Sequence, residues 1–443
     1  MIIMKFGGTS VKNADRIKEV SRIIRQALPE KPVIVFSAMD DITDRLIECG
    51  HLALNNGAIN ISDIETLHKK TARELGIDTS EIEDLLTQLK GLLKGISLIK
   101  ELSRRTKDLL VSFGERLSVR VISAYLNKIG IASKYFDAWD IGLFTDSVFQ
   151  NAAILPESYA IIKKKLGHLK KNYKFTPVIT GFTGKDKKGN ITTMGRGGSD
   201  LTASILANAL AAREVQVWKD VDGLMTTDPK FVKNARLVDE VSFDEAAELA
   251  YFGAKILHPR SILPAMKKNI PVRVKNSYKP ETPGTLIKKS VSSDKLVKVI
   301  TFQEDLTLVD IVSTRMLGLA GFLARVFHIF EKYEISVDMI ASSEVSISLT
   351  LNKDLKSEKN LDKLIAELKE FSDARATRNK AMVTIIGDVK RASEILKTVF
   401  DTMTKNNINV QMISQGSSKV NISFIIDEKE LGTIVPALHN KFF

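Results

Sequence analysis

MIIMKFGGTSV (residues 1–11) combines a short apolar run, a lysine and a glycine pair. The apolar run predicts a buried strand, and from Val11 onward the apolar residues recur at helical spacing. Lys5 therefore lies at a strand end, and Gly7 and Gly8 fill the turn before a helix. Glycine lets the backbone approach an anion, and the first N–H groups of a helix have no internal partner. The stretch fits either a phosphate-binding turn or an ordinary βα turn with a surface lysine.

The composition is that of a globular protein with several domains. The 443 residues are 44% hydrophobic and 27% charged. No stretch has the eighteen or so consecutive apolar residues of a membrane span, so we expect no membrane contact. The single Cys49 excludes an internal disulfide framework and favours a cytoplasmic location. With one cysteine and six scattered histidines, a protein-only metal cage is not expected.

The net charge of +12 arises from 65 basic and 53 acidic residues. The excess lies in short lysine groups that are dispersed along the chain and are not interleaved with aromatic residues. Nucleic-acid platforms combine basic grooves with stacking aromatic side chains. We therefore expect a solvated basic surface and no nucleic-acid partner.

Alternating strand-like and helix-like segments predict an α/β sheet domain over residues 1–287. A largely helical insertion is expected over residues 61–127, where Ser62 with Glu65 and Ser80 with Glu83 match capping boxes. A Pro-, Ser- and Lys-rich stretch predicts a linker at 288–298. The candidate buried strands are residues 32–38, 175–182, 214–220 and 271–276.

An internal repeat follows the linker. VFHIFEKYEISVDMI, starting at Val326, aligns with VFDTMTKNNINVQMI, starting at Val399. Each copy predicts a helix, a strand, a turn and a second strand. Two copies are too few for a solenoid, so we expect two small α+β modules, at 299–380 and 381–443.

TTMGRGGSDLTASILANALAA, starting at Thr192, is the most informative stretch. Three glycines surround Arg196, and Ser199 is the predicted N-cap of the helix that follows. A glycine-rich turn carrying arginine at a helix N-terminus can bind a carboxylate or a phosphate. A capped structural helix is the alternative, but capping requires neither the three glycines nor the arginine.

Three further segments carry candidate polar side chains. SFGERLS places Glu115 in a helix, VWKDVDGLMTTDP places Lys219 and Asp220 after a strand, and FGAKILHP places Lys255 beyond a helix end. No Walker-type loop, dinucleotide fingerprint, HExxH or nucleophile-elbow pattern is present. Phosphoryl chemistry would therefore use a different scaffold.

In order, KFGGTSV, SFGERLS, ITTMGRGGSDLTA, VWKDVDGLMTTDP, FGAKILHP and PVRVKNS resemble the aspartokinase branch of the amino acid kinase family. The resemblance is strongest to the monofunctional plant-type and chlamydial, lysine-sensitive members. It implies a three-layer α/β/α sandwich with a mostly parallel sheet over 1–287. It also implies that the C-terminal repeat forms tandem ACT domains, which are ferredoxin-like α+β modules.

The resemblance implies transfer of the ATP γ-phosphoryl group to the β-carboxylate of L-aspartate, with ATP entering as its magnesium complex and no organic cofactor. It makes Lys5, Asp200 and Lys255 catalytic. The implied aspartate-binding residues are Thr43, Glu115, Phe182, Arg196 and Ser199. The implied nucleotide-binding residues are Lys5, Gly7, Gly8, Ser37, Lys219, Asp220, Met225, Lys230 and Lys255.

The ACT resemblance implies feedback inhibition by L-lysine and a homodimer or dimer of dimers. Whether S-adenosylmethionine also acts stays open. The implied effector residues are Met316, Gly321, Phe322, Leu323, Val337, Asp338, Ser343 and Glu344. Their aliphatic members equally suit a plain ACT core.

Two departures from the family pattern and three alternatives accompany this interpretation. Lys219 occupies a position where bacterial relatives commonly carry threonine, and in this it resembles the plant-type branch. Asp40 and Asp41 occupy positions where many relatives carry small residues, and they either alter aspartate affinity or face solvent. A glutamate kinase is disfavoured by the pair Glu115 and Arg196 and by the tandem repeat. An amino-acid sensor with an inactive kinase domain is disfavoured by the intact candidate catalytic residues. A fused homoserine dehydrogenase is not expected, because no dinucleotide-binding segment is found.

Overall fold

The computed structural model describes residues 1–57, 59–253, 256–291, 294–316, 320–352, 355–415 and 420–443. The chain forms two compact units, and neither is one continuous stretch of sequence. The N-terminal unit contains Met1–Leu224, Asp239–Phe243 and Ile256–Val291. The C-terminal unit contains Met225–Val238, Asp244–Lys255 and Ser292–Phe443.

An eight-stranded sheet forms the centre of the N-terminal unit, and all but one of its neighbouring strand pairs are parallel. The exception is the antiparallel pair of β10 (Val272–Asn276) and β11 (Thr285–Lys288). In spatial order the strands are β3 (Ser133–Phe136), β5 (Thr176–Thr180), β2 (Val33–Phe36), β1 (Ile3–Phe6), β8 (Val215–Lys219), β10 (Val272–Asn276), β11 (Thr285–Lys288) and β9 (Glu240–Ser242). The four candidate buried strands are confirmed as β2, β5, β8 and β10.

Helices cover both faces of this sheet, as expected for three layers. Ile2, Met4 and Phe6 pack into one core with the first five helices. Side chains alternate along a strand, so Lys5 points to the opposite face, where α7 (Gly198–Leu210) packs against β1. The helices of this unit are α1 (Ala14–Ala27), α2 (Ile42–Asn56), α3 (Ser62–Leu75), α4 (Ser80–Ile99), α5 (Arg104–Lys128), α6 (Glu157–Leu166), α7 (Gly198–Leu210) and α9 (Pro259–Met266). The helix α8 (Phe243–Tyr251) belongs, apart from Phe243, to the C-terminal unit.

A second, three-stranded sheet of β4 (Phe144–Thr145), β6 (Thr183–Asp186) and β7 (Ile191–Thr193) lies in the same unit. The segment 61–127 contains α3, α4 and most of α5. The capping boxes predicted at its helix starts are wrong. The backbone N–H and the hydroxyl of Ser62 donate to the Asn60 side chain, and those of Ser80 donate to the Asp78 side chain. Each serine therefore bonds to a side chain that precedes the helix.

A six-stranded antiparallel sheet organises the C-terminal unit, and it contains both copies of the repeat. The spatial strand order is β13 (Met339–Ser342), β14 (Ser346–Asn352), β12 (Val297–Val312), β15 (Asp373–Gly387), β17 (Asn421–Asp427) and β16 (Met412–Ser414). The helices of this sheet are α10 (Phe322–Lys332), α11 (Leu355–Leu368), α12 (Ala392–Lys405) and α13 (Leu431–Phe442). The helix–strand–strand pattern predicted for each copy is confirmed.

Long strands run through both copies of the repeat, so one strand contributes side chains to two cores. In β12, Ile300 packs in the core of the second copy, whereas Ile311 packs in the core of the first. Val232, from the segment assigned to the N-terminal domain, also packs in the second core. The boundaries at 287, 298 and 380 stay a prediction.

No helix in the described ranges is both long and apolar enough to cross a bilayer.

Candidate active site

The first half of the site is the end of β1. Because β1 lies between the parallel strands β2 and β8, its carboxyl end belongs to an edge where ligands of open α/β sheets bind. A Cβ at Gly8 would lie 2.7 Å from the carbonyl oxygens of both Ala38 and Asp40. Only glycine permits this close approach of the two loops.

A group of three charges lies on the α7 side of the sheet, in which Lys5 and Asp200 are buried and Lys219 is half-buried. The Lys5 ammonium is 2.7 Å from Asp200 Oδ1, and the Lys219 ammonium is 3.5 Å from Asp200 Oδ2. Burial alone would raise the pKa of Asp200, but the two ammonium groups outweigh it and hold that pKa below its ordinary value. Burial also lowers the pKa of Lys219, which in addition donates to the carbonyl oxygen of Ile256. Asp200 therefore stays ionised and fixes both lysines.

The glycine-rich turn leads directly into α7. Gly195 and Gly197 have φ of 72° and 74°, in the left-handed region that favours glycine. The predicted N-cap at Ser199 is wrong: Gly197 is the N-cap, and no side chain caps the helix there. Because the left-handed Gly197 redirects the chain, the helix begins at Gly198 and Ser199 lies in its first turn. The open N–H groups of that turn are available to an anion.

These elements enclose a cavity of about 610 Å³. It gathers all five residues proposed for aspartate, together with Lys5, Ser37 and Asp200. The complete lining is Lys5, Ser37, Thr43, Asp44, Ile47, Lys107, Asp108, Val111, Glu115, Gln150, Phe182, Thr193, Gly195, Arg196, Gly197, Gly198, Ser199 and Asp200.

The two charged side chains proposed to hold the substrate differ in exposure. Glu115 is buried in α5, and its Oε2 atom has no hydrogen-bond partner among the residues the structure describes. Burial raises the pKa of Glu115 to about 8, although the Ala38 backbone and the charge of Lys5 partly counteract it. Arg196 is exposed, and its guanidinium makes no hydrogen bond or ion pair within the described ranges. A cation at the rim and an acid at depth suit a ligand that carries both charges.

Phe182 borders the cavity with an unusual backbone. Its φ of 65° is rare for a bulky residue. The Phe182 N–H donates to Thr202 Oγ1 at 3.1 Å, and its carbonyl accepts from Met194 N at 2.9 Å. These bonds fix the strained residue against α7 and the glycine-rich turn.

Sequence reasoning missed Asp108, which is fully buried and lines the cavity. It accepts from the N–H groups of Gln150 and Thr193 and from the Thr193 hydroxyl. Burial raises the pKa of Asp108, and these three donors oppose that effect. Asp108 precedes Glu115 by seven residues, which places both on one face of α5. That spacing is a signal by which the residue could have been found.

Comparison with known proteins agrees with this geometry. The amino acid kinase family model matches residues 1–276, and the ACT domain model matches residues 309–358 and 383–442. The chain is 49% identical to "Aspartokinase 2, chloroplastic" from Arabidopsis thaliana, over all of this chain and 84% of that protein. The chain belongs to the aspartokinase family. It is an aspartate kinase enzyme that carries ACT domains.

Solved aspartokinases share this fold. Crystal structures of E. coli aspartokinase III, in complex with lysine and aspartate (T-state) and with aspartate and ADP (R-state), superpose with TM-scores of 0.80 and 0.78. Both are 32% identical to this chain and cover all of it, and the chain covers 99% and 100% of them. The expected fold class is confirmed.

Other residues proposed for the nucleotide in this aspartokinase are not among the described residues that line the cavity. Gly7 donates its N–H to the Trp218 carbonyl at 3.2 Å, and Asp220 is exposed after β8. Met225 and Lys230 belong to the C-terminal unit, where Met225 pairs with Leu237. Lys255 lies outside the described residues.

Asp40 and Asp41, which depart from the family pattern, are both exposed and are not among the cavity-lining residues. Asp41, the residue before α2, instead pairs with Arg45 in the first turn of that helix, at 2.8 Å.

The proposed effector residues surround the start of α10 and the hairpin of β13 and β14. Phe322 is buried in the first ACT core, against which Met316 and Val337 pack. Asp338 accepts from the Tyr251 hydroxyl at 3.3 Å. The others are at the surface or in turns: Gly321 is the left-handed N-cap of α10, Leu323 is 42% exposed, and Ser343 and Glu344 are exposed.

Proposed function

We propose that this enzyme transfers the γ-phosphoryl group of ATP to the β-carboxylate of L-aspartate, giving 4-phospho-L-aspartate and ADP. The observation that carries the proposal is the charge pattern of the cavity. Aspartate has an α-ammonium and two carboxylates, and the cavity offers buried Glu115, exposed Arg196 and the Lys5 ammonium. Arg196 clamps the α-carboxylate with two parallel hydrogen bonds, and Glu115 accepts from the α-ammonium.

The nucleophile needs no general base. A carboxylate is already ionised near neutral pH, so positioning and neutralisation of charge supply the rate. Lys5 faces the transferring phosphoryl group, Asp200 holds Lys5 in place, and Gly7 and Gly8 let the backbone approach the phosphates. Lys255 is proposed as a second phosphate-binding lysine.

ATP is proposed to enter as its magnesium complex, with no organic cofactor. Among the described residues, no cluster of three or more His, Cys, Asp or Glu side chains could hold a metal ion. Asp200, the acid nearest the proposed phosphate site, is already paired with two lysines. We propose that the nucleotide carries the metal, which neutralises charge on the β- and γ-phosphates. Ser37, Lys219, Asp220, Met225 and Lys230 are proposed to surround that nucleotide.

L-lysine is proposed as the feedback inhibitor, bound by the effector residues of the first ACT module. A related aspartokinase III has been crystallised with lysine and aspartate, which supports this choice. Asp338 and Glu344 provide negative charge suited to a lysine side chain. Inhibition requires that lysine bind one arrangement of the enzyme more tightly than another.

The proposed assembly is a homodimer or a dimer of dimers through the ACT sheet. The edge strands β13 and β16 expose Ile340 and Ile413, which are 47% and 43% exposed. Exposed apolar edge strands are open to pairing with another chain. We propose a cytoplasmic enzyme that performs the first step of diaminopimelate, lysine, threonine and methionine biosynthesis, although the Arabidopsis relative is named chloroplastic.

The test is a coupled assay. Purified enzyme is supplied with Mg-ATP and L-aspartate, ADP release is followed, and the acyl phosphate is trapped with hydroxylamine. We expect aspartate-dependent hydroxamate that decreases when L-lysine is added. Turnover with L-glutamate but not with L-aspartate would make L-glutamate the substrate. No turnover with either amino acid would favour an amino-acid sensor with an inactive kinase domain. Activity with L-aspartate that does not respond to L-lysine would support the kinase assignment and contradict the proposal that L-lysine is the effector.

A further inference from the structure

Asp108 is a buried carboxylate that the proposed reaction does not use. Its Oδ2 atom accepts from Gln150 N at 2.9 Å and from Thr193 N at 2.8 Å. Its Oδ1 atom accepts from Thr193 Oγ1 at 2.8 Å. A buried carboxylate with three donors is a strong local anchor, because each donor would be left unpaired if the acid were removed.

The donors belong to two segments that meet at the glycine-rich turn. Thr193 ends β7, and Arg196 follows three residues later. Gln150 lies in a second segment, with a left-handed φ of 70°. A Cβ at Gly195 would lie 3.0 Å from the Gln150 carbonyl oxygen, so this segment packs closely against the turn.

A further hydrogen bond closes the arrangement. Ala152 N donates to the Thr193 carbonyl at 2.9 Å, while the Thr193 N–H donates to Asp108. Asp108 therefore holds both segments that flank Gly195. Arg196 has no hydrogen bond or ion pair of its own within the described ranges, so the position of its guanidinium depends on the backbone of this turn.

We propose that Asp108 is a positioning residue of the aspartate site: it fixes the Gly195–Arg196 turn so that the guanidinium stands over the cavity. The proposal rests on the proposed function, in which Arg196 binds the substrate α-carboxylate. Asp108 acts through Thr193 and Gln150, and its loss affects aspartate binding selectively.

Two substitutions separate its hydrogen bonds from its charge. In Asp108→Asn, the amide oxygen can accept from both backbone N–H groups, and the amide nitrogen can donate to the Thr193 hydroxyl. In Asp108→Ala, all three donors lose their acceptor. We expect the KM for aspartate to rise at least about tenfold in the alanine variant and by less than about threefold in the asparagine variant. In both variants the KM for ATP stays within about twofold of wild type.

Asp186→Ala is the matched control. Asp186 is 2% exposed and accepts from Lys188 N, Asn190 N and Ser147 Oγ, so it is a similarly bonded carboxylate in the hairpin of β6 and β7. Its loss should lower the melting temperature without a selective rise in the KM for aspartate. An equal selective rise in the KM for aspartate in this control would overturn the proposal, because any damage to the hairpin would then be enough to weaken aspartate binding.

Hydrogen exchange tests the anchor independently of catalysis. Amides of residues 193–198 should exchange at least about tenfold faster in Asp108→Ala than in wild type, and those in Asp186→Ala should not. If wild-type enzyme fails to phosphorylate aspartate, the proposed function fails, whereas the exchange result still reports on the anchor. The positioning role is overturned if exchange is unchanged in Asp108→Ala, or if the KM values for aspartate and for ATP increase equally in that variant.

Thr193→Val keeps the test decisive if Asp108→Ala does not fold. It removes one of the three donors and leaves the backbone N–H in place. We expect a rise of about threefold in the KM for aspartate, with Thr193→Ser restoring the wild-type value. No rise in Thr193→Val, or no rescue by serine, contradicts the proposal.

Discussion

The substrate cavity of the N-terminal unit and the proposed effector residues of the C-terminal unit are built in opposite ways. The cavity collects side chains from β1, α2, α5 and α7, and two of its charged groups, Lys5 and Asp200, form an ion pair within it. The effector residues Leu323, Ser343 and Glu344 are exposed at one end of an antiparallel sheet. The first arrangement is complete within one unit, whereas the second leaves its surface open to a further partner.

The physical reason is the cost of burying charge. An unpaired buried ion costs several kcal/mol, so the buried Lys5 ammonium is paired with Asp200, which the half-buried Lys219 also contacts. An exposed Glu344 carries no such cost and needs no partner in advance. Changes in the cavity should therefore have large effects on turnover, and changes at the effector residues should have smaller effects on regulation.

The largest effect is expected for Lys5→Met. It removes the ammonium aimed at the transferring phosphoryl group, and we expect kcat to fall by about 10³-fold or more. Steady-state ADP release measures it. Lys12→Met, at an exposed position of the same segment, is the control and should retain wild-type kcat. A decrease in kcat of less than tenfold in Lys5→Met would show that Lys5 is not a catalytic residue.

Arg196→Ala should act on binding. Losing a two-pronged, charge-assisted clamp should raise the KM for aspartate by about 100-fold. Because Arg196 is exposed, the melting temperature should not change, and Arg105→Ala provides an exposed arginine as control. A matching rise in the KM for ATP would show that the guanidinium serves the nucleotide instead.

Glu115→Gln addresses the pH dependence of the cavity. With the Glu115 pKa at about 8, the free enzyme holds this acid protonated at neutral pH. Pairing with the substrate ammonium requires the ionised form, so kcat/KM for aspartate should rise with pH and level off above about 8. We expect Glu115→Gln to lower the plateau about tenfold and to abolish the rise. A rise of the same size in both enzymes would assign the pH dependence to another group.

The same residue gives a stability signature of known sign. The native pKa of about 8 exceeds the ordinary value of 4.5, so the folded state binds the extra proton. Its contribution to the free energy of unfolding is present at low pH and is lost as pH rises through about 8. Urea unfolding of the apo enzyme between pH 5 and about 8.5 measures it, and Glu115→Gln should remove this part of the slope. An identical slope in the variant contradicts the assignment.

The smallest effect is expected for Glu344→Gln. An exposed charge pair contributes about 1 kcal/mol or less, so the lysine concentration for half inhibition should rise by about fivefold or less. Glu331→Gln, an exposed acid on α10, is the control and should not alter that concentration. Unchanged inhibition in Glu344→Gln would place the lysine side chain elsewhere.

Local pattern was sufficient for features that depend on neighbours in sequence. The strand before Lys5, the glycine turn after it, the four buried strands and the helix after Gly198 follow from apolar spacing and glycine conformation. Arg196 was found because glycines and a helix start surround it. The family resemblance supplied Glu115, Thr43 and Phe182, which lie far apart in the chain but line one cavity.

Other features depend on long-range contacts that no local pattern encodes. Asp108 receives hydrogen bonds from residues 42 and 85 positions away, and Lys219 meets Asp200 because two chain segments converge on one face of the sheet. The predicted cap at Ser199 failed because the left-handed Gly197 sets the start of α7. Likewise, β12 contributes side chains to two cores because it is long. It pairs with β15 along its whole length and with β14 over its second half. Sequence thus specified the local elements and their chemistry, whereas burial and pairing across the fold selected which of those groups stand together.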